Sequence, residues 1–157
     1  TAIALQKEFG LKATLLHADA ASRVIPEIKA SGLPVILSPM GISDSAEYLS
    51  TPAKLMKAGI PFAFASDAPL TGEAYLRISG ALSMRYGVDR KQALRSLTLT
   101  AAEILGVSDE VGSLEKGKLA DLVVFDGDPL DLSSDVLLVM VVHLNRIQIF
   151  HIPSLQK

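Results

Sequence analysis

His17 and Asp67 are the two residues of this sequence whose types and setting could do chemistry together. Each ends an apolar run that reads as a strand: Leu11 to Leu16 ahead of His17, and Pro61-Phe62-Ala63-Phe64-Ala65 ahead of Ser66-Asp67. A third strand end, Ser38-Pro39-Met40, follows Pro34-Val35-Ile36-Leu37 and lies between them in sequence. In parallel α/β architectures the carboxyl ends of the strands open on one crevice, and the active site lies there. Imidazole nitrogen and carboxylate oxygen are usual ligands of catalytic zinc and related divalent ions. A histidine and an aspartate facing one crevice could therefore share a metal. Plainer roles stay open on these residues alone. Asp67 can simply open a turn ahead of Pro69, and His17 can be a half-buried histidine bonded to a nearby carbonyl.

The other reactive side chains point elsewhere. Asp19 reads as the residue that opens a helix rather than as a ligand, since aspartate is a good cap. His143 and His151 fall in a later β segment and read as structural or exposed. Ser66 lacks the Gly-x-Ser-x-Gly elbow of a serine hydrolase. Gly-x-Gly-x-x-Gly and Walker A patterns are missing, which removes the main support for nucleotide binding. With no cysteine, disulfides, Cys-type zinc sites and a thiol nucleophile are excluded.

The elements that would position these residues follow from periodicity and punctuation. Ala2 to Phe9 reads as a helix stopped by Gly10. Ser22 to Ala30 reads as another, with Pro26 in its first turn and Gly32 past its end. Ile42 to Ser50 reads as a mixed polar loop, after which Thr51 caps a helix with Pro52 first inside and Gly59 just outside. Tyr75, Ile78, Leu82 and Tyr86 recur at helical spacing, and Asp89 with Gln92 forms a capping box opening a helix through Leu94, Leu97, Ala101 and Ile104. Up to Gly87, strand and helix alternate three times, with strands starting at intervals of roughly twenty to thirty residues, the rhythm of a parallel sheet. Beyond Gly106 short strands take over. Val111 to Pro129 reads as strand, turn, strand, turn, bent at Gly112 and Gly117 and stopped by Asp126-Gly127-Asp128-Pro129. Val136 to Val142 and Ile147 to Ile152 read as two more strands joined near Asn145-Arg146.

Composition sets the class. The 157 residues are 49% hydrophobic and 20% charged, which excludes a disordered chain. Net charge is −2 with no basic stripe, so nucleic acid is not an expected partner. Mean hydropathy is high at +0.36. The longest apolar run, Val136 to Val142, is far shorter than the ~20 residues that cross a bilayer, so the value suits a piece of a larger core better than a membrane span. No signal-peptide pattern follows Thr1; the compartment stays open, with a cytoplasmic setting favoured.

The helix ending Thr100-Ala101-Ala102-Glu103-Ile104-Leu105-Gly106-Val107, followed at once by Val111 to Pro129, strongly resembles the end of an amidohydrolase-superfamily enzyme. Together with the Ser66-Asp67-Ala68-Pro69 element it is most similar to the imidazolonepropionase-like and prolidase-like branches. The resemblance runs from Leu5 to about Val142. It implies an α/β fold: the C-terminal half of a (β/α)8 TIM barrel, strands six to eight with their helices over residues 1–106, then part of a small β-sandwich domain over 107–157. It places His17 at the end of strand six as a metal ligand, and Asp67 at the end of strand eight as metal ligand and proton handler. The implied reaction is hydrolysis of a C–N bond, in an amide or cyclic amide, by water activated on a divalent metal, zinc first with manganese or iron as alternatives. The Ser38-to-Gly41 loop, including Met40, would then face substrate.

The superfamily's His-x-His on strand one, its metal-bridging residue on strand four and its histidine on strand five fall outside these 157 residues. Two protein ligands are fewer than the three usual in a catalytic zinc site. The expectation is a fragment inactive by itself, with open edges at strands six and eight that favour self-association or a complementary half. The competing readings are a non-catalytic α/β domain serving as a partner-binding or relic module, and a flavodoxin-like regulatory domain with Asp67 as acceptor, which lacks the β tail.

Overall fold

The computed structural model describes residues 2–70, 72, 75–143 and 146–151. The first sheet is parallel, in the order β1 (Leu15–Leu16), β2 (Val35–Leu37), β3 (Phe62–Phe64). Val35 stands opposite both Leu15 and Phe62, so the residues leaving all three strands emerge along one edge. The second sheet is antiparallel: β4 (Leu122–Phe125), β5 (Val136–His143), β6 (Arg146–His151). The expected turn at Asn145, Ile152 and the side chain of His143 lie outside the described residues.

Helices fill the connections. Helix α1 (Ala2–Phe9) precedes β1, and a 3-10 turn (Ala21–Arg23) with α2 (Ile25–Ser31) links β1 to β2. The next link holds α3 (Ala46–Leu49) and α4 (Thr51–Ala58). After β3 come α5 (Tyr75–Arg85), α6 (Arg90–Leu97) and α7 (Leu99–Leu105). Val35, Leu37, Phe62, Phe64, Ile28, Leu55 and Met40 pack into one core. Strand β3 is buried at every position, as a parallel strand covered on both faces must be.

Several expectations are corrected. The strand expected from Leu11 is only two residues long, because the Leu11 N–H is drawn back to Gln6 O to close α1 and β2 offers only three residues to pair with. The helix expected from Ser22 is interrupted at Val24, whose φ of −135° leaves the helical region. Ile42 to Ser50 is not all loop. Ser45 accepts the Tyr48 N–H and starts α3, which runs into α4, so Ser50 rather than Thr51 sits at the cap position of α4 and Thr51 donates to Glu47 O. Asp89 opens α6 as expected, accepting the Gln92 N–H at 2.9 Å, but Thr98 (φ −132°, ψ −97°) breaks the long helix into α6 and α7. No strand forms at Val111; that stretch is turns, with Gly112 at φ +94° pressed so close to α7 that a Cβ would lie 2.8 Å from the Ala102 Cβ.

The second sheet is fastened to the helices through α5. A Cβ on Gly80 would meet Leu97 Cδ1 at 2.7 Å and Leu130 Cδ2 at 3.0 Å, so only glycine lets α6 and the loop after β4 approach this closely. Beside it the Arg77 guanidinium donates to the carbonyls of Pro129, Asp131 and Ser134 and stacks 4.9 Å over the Phe125 ring. No helix among the described residues is long and apolar enough to cross a membrane.

Candidate functional site

The chain turns sharply at the ends of β1 and β3, and it does so at His17 and Asp67. Their φ angles, 53° and 52°, are the only left-handed ones among the described non-glycine residues. Such conformations cost about 1–3 kcal/mol each and gather at functional sites. They bring together two residues fifty positions apart: His17 Nε2 lies 2.9 Å from Asp67 Oδ1. With the carboxylate ionised, the ring donates and Asp67 accepts. The imidazole is half exposed, at 50%, and the carboxylate less so, at 24%, so the pair sits at the surface of the strand ends rather than in the core. Asp67 also forms the backbone turn open to it as a plainer role, accepting the Leu70 N–H at 2.8 Å through its main-chain carbonyl.

The third strand end is held by a network the sequence did not announce. Asp19, two residues past His17, accepts the Ser38 N–H at 3.2 Å on one carboxylate oxygen and the Ser38 hydroxyl at 2.9 Å on the other. The Tyr48 hydroxyl donates to Ser38 O at 2.6 Å. Burial first, then the charges of Asp19 and Asp44, push the Tyr48 phenol far above its ordinary range, so it stays a donor. The Met40 N–H donates to Ser79 Oγ on α5 at 2.8 Å, and the Gly41 N–H to Asp44 Oδ2 at 2.8 Å.

Two expectations change here. Asp19 does not cap the following 3-10 turn, which has no side-chain cap; it bonds across to Ser38 instead. Met40 does not face the crevice, because its side chain is fully buried in the core. His151 is exposed on β6. An open groove of about 1200 Å³ lies away from the His17–Asp67 pair, between α6, α7 and the second sheet, and is lined by apolar residues such as Leu94, Leu97, Ala101, Leu122 and Val139.

The donor set fits a divalent metal in kind. An imidazole nitrogen and a carboxylate oxygen converge, and Asp67 has a second oxygen besides the one bonded to His17. It is short in number, since no group of three or more His, Cys, Asp or Glu able to hold a metal occurs among the described residues.

The amidohydrolase family profile matches residues 11–150. The chain belongs to the amidohydrolase family. An imidazolonepropionase of Thermoplasma volcanium is 30% identical over 116 residues, 73% of this chain and 28% of that protein. An imidazolonepropionase of Caulobacter vibrioides is 36% identical over 118 residues, 71% of this chain and 28% of that protein. The crystal structure of an amidohydrolase from Thermotoga maritima superposes with a TM-score of 0.80 at 34% identity, covering 89% of this chain and 38% of that one. The chain thus spans well under half the length of each relative. This amidohydrolase segment carries its His–Asp pair where the three parallel strands end.

Proposed function

We propose that this amidohydrolase segment supplies strands six to eight of a (β/α)8 barrel over residues 1–106 and part of a β domain over 107–157, and that its crevice hydrolyses C–N bonds of amides or cyclic amides. The observation that carries the reading is the His17–Asp67 contact, formed by two residues with left-handed backbone at the ends of β1 and β3, the strands on either side of β2. Family membership and the imidazolonepropionase relatives favour small cyclic amides among such substrates.

His17 Nε2 and the Asp67 carboxylate would hold a divalent ion, zinc first, with further ligands from elsewhere in an intact enzyme. A bound zinc-type ion would polarise the carbonyl and lower the pKa of water towards neutrality. Asp67 is the proton carrier: its carboxylate takes a proton from the attacking water and returns it to the leaving nitrogen. His17 Nε2 lies 2.9 Å from that carboxylate, close enough to orient it, and with its proton on Nδ1 instead the same nitrogen would be free to serve as a ligand. The turn at Ser38 forms the wall between them.

The partner side of the reading rests on exposed apolar surface. Phe9, Leu11 and Leu16 are all more than half exposed beside β1, which pairs on one edge only among the described residues. A complementary barrel half, or a second copy, would cover them.

Turnover tests the reaction. Alone with zinc, the chain is expected to hydrolyse no amide measurably. Fused behind the preceding region of the Thermotoga maritima amidohydrolase, it is expected to hydrolyse a cyclic amide, with Asp67→Asn lowering kcat by about 10²-fold or more. A folded, zinc-loaded fusion with no turnover on any cyclic or linear amide would count against the reading, and would leave the non-catalytic domain in its place.

A further inference from the structure

We infer that Asp19 is a positioning residue for this site: its carboxylate holds the turn after β2 in the shape that walls the crevice beside His17 and Asp67. The inference rests on the crevice being the substrate side. Asp19 is exposed and turns both oxygens to Ser38, taking its N–H and its hydroxyl at once, with the Tyr48 hydroxyl also within its reach. A carboxylate placed at the start of a helical turn ordinarily caps it; this one leaves the 3-10 turn uncapped and reaches nineteen residues along the chain instead.

The consequence is a turn with its donors committed. At Ser38 the N–H goes to Asp19, Pro39 has none, the Met40 N–H goes to Ser79 and the Gly41 N–H to Asp44. Tyr48 holds the Ser38 carbonyl. Four side chains, those of Asp19, Tyr48, Ser79 and Asp44, therefore fix the backbone at Ser38, Met40 and Gly41, three of four consecutive positions. Preorganisation of this kind holds a substrate wall to the small tolerances that catalysis needs. Asp19 is the only one of the four on the same short loop as His17, so it ties the wall to the metal-ligand side. Asp19 touches neither His17 nor Asp67 through any hydrogen bond of the structure and is not a ligand in this inference.

Asp19→Asn tests it, because an amide of the same shape cannot accept from both Ser38 donors. Hydrogen exchange is read at Ser38, Met40 and Gly41, with β3 as internal reference and urea unfolding as the check on the fold. The expected result is exchange about tenfold or more faster at the turn with β3 unchanged. Ser38→Ala should reproduce part of the effect, and the double variant should add little to Asp19→Asn. A second readout separates positioning from mere support. On the cobalt(II)-loaded chain, acetohydroxamate should bind about tenfold more weakly to Asp19→Asn while cobalt affinity stays within about twofold. Unchanged exchange at the turn overturns the inference, and so does a loosened turn with undiminished acetohydroxamate binding. If the wild-type chain takes up no cobalt, the metal reading fails by itself and the exchange result decides the clamp.

Discussion

At the residue scale, the backbone says more about His17 and Asp67 than their names do. Both residue types tolerate left-handed φ better than most, but each still costs energy. The sequence made them candidates because each follows an apolar strand; that they touch was not legible, since no residue pattern reports φ or a contact fifty positions apart. Asp19 shows the opposite failure. Its cap-like position suggested a local role, whereas the structure uses it to bond across to the turn after β2, and only its spacing of two from His17 hinted at the site. Arg77 carried no signal either, because an arginine on a helix face reads as solvated until the loop after β4 folds back over it. Arg77→Met should destabilise the chain by about 2 kcal/mol or more in urea unfolding, by leaving three carbonyls without their donor.

At the element scale, alternation of strand and helix was readable to within a few residues, and so were the stops at Gly10, Gly32, Gly59 and Gly106, all at positive φ. The errors came where tertiary contacts outweighed local pattern: the truncated β1, the extra α3 and the break at Thr98. Close packing of α5 makes a sharp prediction. Gly80→Ala should cost about 1–3 kcal/mol, because the new methyl must displace Leu97 and Leu130. Phe62→Ala, which empties a fully buried position in β3, should cost about 3–5 kcal/mol in the same measurement. The link between α6 and the loop after β4 is acid-sensitive. The Arg90 guanidinium, bonded at 2.5 Å, and then the Leu130 N–H hold the Asp128 carboxyl below its usual range. That stabilisation is present above the unfolded carboxylate value of about 4 and is lost as pH falls below it through the lowered folded value. Chemical shifts of the β4 amides should therefore move in acid below about pH 4 in the wild type and lose that step in Asp128→Asn.

At the scale of the whole molecule, two three-stranded sheets leave β1 and β3, and β4 and β6, as edges among the described residues. Edges with exposed apolar neighbours invite pairing. The chain alone is expected to elute larger than a monomer on gel filtration and to bind ANS; a sharp monomer that binds none would contradict the open-half picture. The central claim, however, is that His17 and Asp67 are metal ligands, and calorimetric titration with zinc tests it most directly. The account predicts one saturable zinc per chain, with affinity weakened at least about tenfold by His17→Ala and again by Asp67→Ala, and little changed by Ser38→Ala. No saturable zinc binding by the folded chain, or binding that survives both alanine substitutions, would contradict it.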